Sequence, residues 1–266
     1  DVHVKIDTGM SRIGFKPWED TVHELVILDN LLPNINIRGI FTHFACADKA
    51  DDRMTMLQAE RFNKVVKGLE DQGIEIPCRH CSNSAAIMRY PDLNMNMVRA
   101  GIILYGLQPS GELLWDRFEL KPVMSLKSIV VLLKTVPKGT TVGYGATFTC
   151  QRETTIATVA IGYGDGYPVA LSNKGRVLIG NQYFPVIGRA CMDQLMVDVT
   201  DAMEEVKKGE EVILLGRQGN ECITAEELSS FGDSFNYELV CNINRRIPRI
   251  YTRGGRIVDV IDYLDY

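Results

Sequence analysis

An α/β region followed by a mostly-β region is the architecture this sequence predicts, and three observations carry that expectation. From Val2 to about Gln108, apolar segments of strand and helix period alternate. From about Lys121 onward, short β-rich runs separated by Gly and Lys-Gly turns take over. Between Val142 and Gln194 lie three dense blocks, Val142-Gly-Tyr-Gly-Ala-Thr-Phe148, Gly162-Tyr-Gly-Asp-Gly-Tyr-Pro168 and Gly188-Arg-Ala-Cys-Met-Asp-Gln194. Two of them set a tyrosine between glycines, where backbone bulk is lowest and a phenol is free to face a ligand as an acid/base.

Along the chain, Val2-His-Val-Lys-Ile-Asp7 alternates apolar and polar residues as a strand does, and Thr8-Gly-Met-Ser11 ends it. Pro17 suits the first turn of a helix running to about Leu32. Residues 37–44 form the next strand, and a longer helix spans about 52–72 with Gly73 as its stop. Residues 79–82, 84–89 and 97–105 read as strand, helix and strand. Such alternation implies parallel strands with right-handed crossovers. About four βα units fit here, whereas a closed (β/α)8 barrel uses eight in roughly 250 residues. The region is therefore either a small open sheet or the second half of a barrel. The chain opens on Asp1, directly on a strand, so the expectation is that a first half barrel precedes it.

In the second region, residues 123–136 form a long β-rich run ended by Pro137-Lys-Gly139. Residues 154–161, 176–179, 195–199 and 212–215 read as further strands, with two short helices near 224–230 and 235–243. Residues 249–252 and 256–260 flank Gly254-Gly255 as a hairpin. The expected domains are thus 1–115 and 116–266.

Composition narrows the functions. The 266 residues are 45% apolar and 24% charged, an ordinary globular balance. A net charge of −5 gives no electrostatic reason to expect nucleic acid or an anionic membrane as partner. Seven scattered cysteines read as reduced cytoplasmic thiols rather than a disulfide framework. Cys78-Arg-His-Cys81 has half the spacing of a zinc site but no second pair, so no metal is expected. No stretch approaches the roughly 20 apolar residues that span a bilayer.

Seven motifs in order resemble the alanine racemase family, from Val2 to the final hairpin. They are Lys5-Ile-Asp-Thr-Gly-Met-Ser-Arg12, Thr42-His-Phe44, Cys81-Ser-Asn-Ser-Ala-Ala86, Val98-Arg-Ala-Gly-Ile102 and the three blocks above. The resemblance implies the C-terminal half of a (β/α)8 barrel that binds pyridoxal 5′-phosphate (PLP), followed by a mostly-β domain. It implies two-base interconversion of L- and D-alanine, which supplies D-alanine for peptidoglycan: a PLP-bearing lysine on one face of the substrate Cα and Tyr144 on the other. A phenol with a pKa near 10 needs about 4 kcal/mol of help to act near pH 7, and the family pattern provides His43 linked to Arg99. Arg99 would also face the pyridine nitrogen. Asn83, Ser84 and the backbone N–H groups of Gly101 and Ile102 match the phosphate cradle, a use of helix N-termini and glycine that suits anions. Arg12 and the Met192 N–H match the groups that hold the substrate carboxylate, and Tyr163 a second tyrosine at the substrate entrance. Tyr144, Tyr163 and Met192 would serve the partner subunit's site, implying a homodimer with shared active sites.

The chain departs from the family pattern at two places. No lysine stands in the context of the PLP lysine. The second departure is Arg245, which sits where some members have a tyrosine, whereas Lys5 sits where some members carry a carbamylated lysine. The serine racemases of glycopeptide resistance look very similar here, so alanine versus serine stays open, as does a non-catalytic half-enzyme that only dimerises. A missing N-terminus could also carry a membrane domain. Read singly, Asn83-Ser84 is equally a helix cap, and Arg12 equally a surface partner for Asp7.

Overall fold

Three parallel strands and the helices that link them make the first part of the chain: β1 (Val2–Lys5), α1 (Glu19–Leu31), β2 (Ile37–Phe41), α2 (Arg53–Asp71), β3 (Cys78–His80) and α3 (Ser84–Arg89). This computed structural model describes residues 1–17, 19–112 and 118–264. The chain divides into two units, Asp1–Lys121 and Pro122–Tyr266. The boundary expected at 115/116 lies outside the described residues.

In the first unit the order is β1-β2-β3, with both pairings parallel. α2 covers the sheet with a face spaced at helical period: Thr55, Gln58, Ala59, Phe62, Val65, Val66 and Leu69 are buried. Phe62 and Leu69 pack in one core with Ile6, Leu25, Ile40 and Phe44. Each large side chain buried there contributes roughly 1.5–3 kcal/mol.

The strand expected at 97–105 does not form. After a single backbone bond from Arg99 N–H to the Ser82 carbonyl (3.0 Å), the chain enters a 3-10 turn, Ile102–Tyr105. Side chains take the place of the missing ladder. Asn96 accepts the Arg79 N–H at 2.7 Å and donates to the Pro77 carbonyl at 2.6 Å. The Arg99 guanidinium donates to the carbonyls of Thr42, His80 and Cys81 at 2.8, 3.2 and 2.9 Å. With these backbone groups already satisfied, β3 has little left for a fourth strand to pair with.

The second unit comprises β4 (Leu126–Val136), β5 (Thr141–Val142), β6 (Phe148–Thr149), β7 (Thr154–Val159), β8 (Arg176–Ile179), β9 (Gln182–Ile187), β10 (Leu195–Asp198), β11 (Glu211–Gln218), β12 (Glu221–Ile223), α4 (Ala225–Phe231), α5 (Asn236–Asn242) and the hairpin β13 (Arg249–Arg253) with β14 (Arg256–Ile261). The large sheet runs β12-β11-β4-β7-β10-β9-β8, and β8 returns to β11 through Ile213 and Leu178. β11 to β8 thereby close on themselves, which removes free strand edges. Val212, Ile213, Leu214 and Leu215 are all buried, so β11 is covered on both faces.

β9 escapes notice in the sequence because Pro185 argues against a strand. Pro185 sits opposite Arg176 on β8 but beyond the stretch of β9 that pairs with β10, so the missing N–H breaks no bond on that side.

Candidate active site

In the first unit, the candidate site gathers around Arg99 at the C-terminal ends of β2 and β3. Besides the three carbonyls, Arg99 Nη2 meets His43 Nδ1 at 3.3 Å and Nη1 meets His80 Nδ1 at 2.5 Å. The expected His43–Arg99 pair is therefore formed. Arg99 Nε has no partner among the described residues. His80 was not expected from sequence; it stacks on Phe41 (centroids 4.8 Å apart), above whose ring Arg99 also lies at 5.4 Å.

Hydrogen-bond polarity sets the tautomers. A guanidinium only donates, so His43 Nδ1 and His80 Nδ1 accept and each ring carries its proton on Nε2. His80 Nε2–H then donates to His3 Nδ1 at 2.9 Å. His3, Cys78 and His80 are close enough together to suggest a metal centre. However, a protonated Nε2 that is already donating is not a metal ligand. Burial, reinforced by the Arg99 charge, lowers the pKa of both His43 and His80 to about 4. At neutral pH His43 is thus a neutral N–H donor, and Arg99 carries the charge.

Two loops flank this cluster. The loop after β1 is held by Asp7, which accepts from the Gly9 and Ser11 N–H groups at 3.1 and 2.9 Å. Arg61 donates to the Thr8 carbonyl at 2.9 Å. The loop carries Arg12, which is exposed and forms no ion pair with Asp7 or any other described residue. Lys5 is buried, donates to the Ile6 carbonyl at 2.9 Å and has its pKa lowered by that burial. Fully buried Gln58, on α2, ties the loops together. It donates to Thr8 Oγ1 (3.2 Å) and the His43 carbonyl (3.0 Å), and accepts from Ala45 N–H (2.8 Å). Nothing in the helical pattern marks Gln58 as other than a core-facing position.

On the other side, Asn83 caps α3 by accepting from the Ala86 N–H at 3.1 Å. Ser84 Oγ accepts from the Gly101 N–H at 3.0 Å. These bonds place the start of α3 beside the start of the Ile102–Tyr105 turn. Ser84 Oγ, at 3.6 Å, is the sole described atom within 4 Å of where a Gly101 Cβ would stand, so the backbone there is open to a ligand.

In the second unit, Tyr144, Tyr163 and Met192 are exposed at 71%, 45% and 53%. Gly143 (φ 73°) brings its backbone against Arg189, where a Cβ would lie 2.9 Å from the Arg189 nitrogen. Tyr144 follows directly. Tyr163 N–H donates to the Cys191 carbonyl at 3.0 Å and Gly164 N–H to the Met192 carbonyl at 2.8 Å, so the second and third sequence blocks are joined edge to edge. Arg245, whose role the sequence left open, lies over the Tyr263 ring at 5.7 Å.

Comparison with known proteins agrees along both units. Residues 1–109 match the family described as "Alanine racemase, N-terminal domain" and residues 123–251 "Alanine racemase, C-terminal domain". An alanine racemase of Clostridium novyi is 44% identical over 263 residues, 99% of this chain and 68% of the relative. An alanine racemase of Clostridium difficile superposes with a TM-score of 0.92 at 45% identity, over 98% of this chain and 67% of that one. The Bartonella henselae alanine racemase, solved with covalently bound pyridoxal phosphate, superposes at 0.78 with 29% identity, over 91% of this chain and 63% of that one.

Proposed function

Because this chain belongs to the alanine racemase family, we propose that it supplies the tyrosine side of a two-base, PLP-dependent interconversion of L- and D-alanine, with Tyr144 as the acid/base on one face of the substrate Cα and the PLP-bearing lysine, which no lysine of this sequence matches, on the other. The observation that carries the reading is Arg99. Its two Nη groups are committed to the protein, while Nε–H remains for an acceptor such as a pyridine nitrogen. The residues present fit the cofactor. Ser84, the open backbone at Gly101 and the Ile102 N–H would hold the phosphate, and the Asn83 cap holds the start of α3 in place.

PLP supplies an electron sink that weakens the substrate Cα–H bond, and a donor that never releases its proton keeps that sink mild. Restraint of this kind favours returning the proton to Cα over side reactions. The Arg12 guanidinium and the Met192 N–H bind the substrate carboxylate, and Tyr163 lines the substrate entrance. His43, neutral and with its proton on Nε2, would offer the hydrogen bond that stabilises a phenolate, while Arg99 contributes the positive field. We assign none of this chain's lysines to the opposite face; Lys5 in particular is buried and donates to a backbone carbonyl. Tyr144, Tyr163 and Met192 act on the site of a second copy of the chain, a role that suits their exposure. Every described cysteine is free, which suits a reducing cytoplasm.

The test is Cα–H exchange in deuterated buffer by Tyr144→Phe in PLP-loaded enzyme, with L- and D-alanine offered separately and L-serine alongside. Racemisation should fall by at least about 10²-fold. Exchange should be lost from one enantiomer and retained from the other. Wild-type racemisation by Tyr144→Phe would remove the tyrosine from the mechanism, and faster turnover of serine would reassign the substrate.

A further inference from the structure

A single arginine joins the two loops that carry Tyr163 and Met192. Arg246 Nε donates to Asp165 Oδ1 at 2.7 Å, and Nη2 donates to Asp193 Oδ1 at 2.5 Å. Asp165 lies in the second sequence block, two residues after Tyr163, and Asp193 follows Met192 in the third. Nη2 also reaches the Met192 carbonyl at 3.5 Å. Asp165 is doubly used, because its other oxygen accepts the Gly162 N–H at 2.9 Å and fixes the turn on which Tyr163 stands. Arg246 is itself anchored: its N–H donates to Asn244 Oδ1 at 3.0 Å, and the Asn244 N–H donates to the Asp165 carbonyl at 2.9 Å.

The glycines around the clamp are there for space. A Cβ at Gly164 would stand 2.7 Å from Arg246 Nη2, and one at Gly166 would stand 2.2 Å from the Asn242 carbonyl oxygen. The Asp165 side chain is only 14% exposed, so this arm is largely withdrawn from solvent. Donating to both carboxylates raises the Arg246 pKa further, so the charge is permanent.

We propose that Arg246 is a positioning residue that locks the Tyr163 turn to the Met192 turn, so that the phenol and the Met192 N–H meet the substrate as one rigid unit. Its planar fork is suited to holding two carboxylates on separate loops at once, which a lysine cannot do. The inference rests on the proposed roles of Tyr163 and Met192 toward the substrate.

The experiment uses Arg246→Gln and Arg246→Lys in the PLP-loaded enzyme, reading KM and kcat for L-alanine together with amide hydrogen exchange. In Arg246→Gln, KM should rise about tenfold with a much smaller change in kcat, as expected when binding groups rather than reacting groups are loosened. Exchange in peptides covering residues 162–167 and 190–195 should accelerate by about the same factor, while β7 stays protected. Arg246→Lys should fall between, since its point charge holds one arm. Unchanged exchange in Arg246→Gln overturns the clamp. Faster exchange with an unchanged KM overturns the presentation to substrate, and places the failure in the assignment of Tyr163 and Met192 rather than in the clamp. Should Arg246→Gln not fold, Asp193→Ala removes only the more exposed arm. It should shift both readouts in the same direction by a smaller factor, and no shift in either overturns the proposal.

Discussion

At Arg99 and its two histidines, residue chemistry has consequences for stability as well as for the site. Both His43 and His80 titrate near pH 4 in the folded protein, against 6.5 for an unperturbed imidazole. A lowered folded pKa means the unfolded chain binds protons first as the pH drops. The stabilisation is therefore fully present above pH 6.5 and is lost as pH falls toward about 4. Melting temperature should decline through that window, and less steeply in His80→Gln, which cannot take up the proton. Equal slopes in the two proteins would mean that His80 is not held neutral by burial beside Arg99. The pairing of His43 with Arg99 was legible in sequence only through the family pattern. His80 was not, because its role depends on Phe41 stacking and on the reach of Arg99, neither of which has a sequence period.

The contrast between α3 and the expected strand at 97–105 shows what local sequence can and cannot decide at the level of elements. α3 begins and ends where the sequence placed it because Asn83 supplies a cap wherever it stands before a helix. Asn83→Ala should cost about 1 kcal/mol in urea unfolding and should also weaken PLP binding measured by absorbance titration. The strand failed because Asn96 and Arg99 satisfy neighbouring backbone groups themselves, and which groups those are depends on the fold. Close approach between loops is equally a tertiary matter. Gly162 has extended backbone (φ −153°), yet a Cβ there would stand 2.2 Å from the Cys191 carbonyl oxygen. Gly162→Ala should therefore destabilise by about 2 kcal/mol or more through contact alone, read as a lower urea midpoint. A loss within about 0.5 kcal/mol, the usual scale of surface changes, would mean that the two blocks are not packed as described.

For the molecule as a whole, the proposed assignment divides the machinery between units. His43, Arg99 and the phosphate cradle lie in Asp1–Lys121, while Tyr144, Tyr163 and Met192 lie in Pro122–Tyr266. If the second group serves another copy, defects in different units should complement. Mixing and reassociating equal amounts of Tyr144→Phe and Arg99→Ala chains would place both defects in one site of the mixed dimer and leave the other intact. Racemase activity should recover to about a quarter of wild type for a two-fold assembly. No recovery, despite mixed dimers detected by mass spectrometry, would mean that each site is built from one chain.

By itself the sequence determined the two-part architecture, the parallel order implied by βα alternation, most strand positions of the second unit and the glycine-bracketed tyrosines. These follow from local periodicity and from backbone conformations that few residues adopt. Only the tertiary structure decided that β8 returns to β11 and closes the sheet, and that Arg99 takes the place of a strand. It alone joined Arg246 to Asp165 and Asp193, residues more than fifty positions away along the chain. These outcomes depend on where distant carbonyls and carboxylates come to lie, and a hydrogen bond of this kind is specified by position in space rather than by any spacing along the chain.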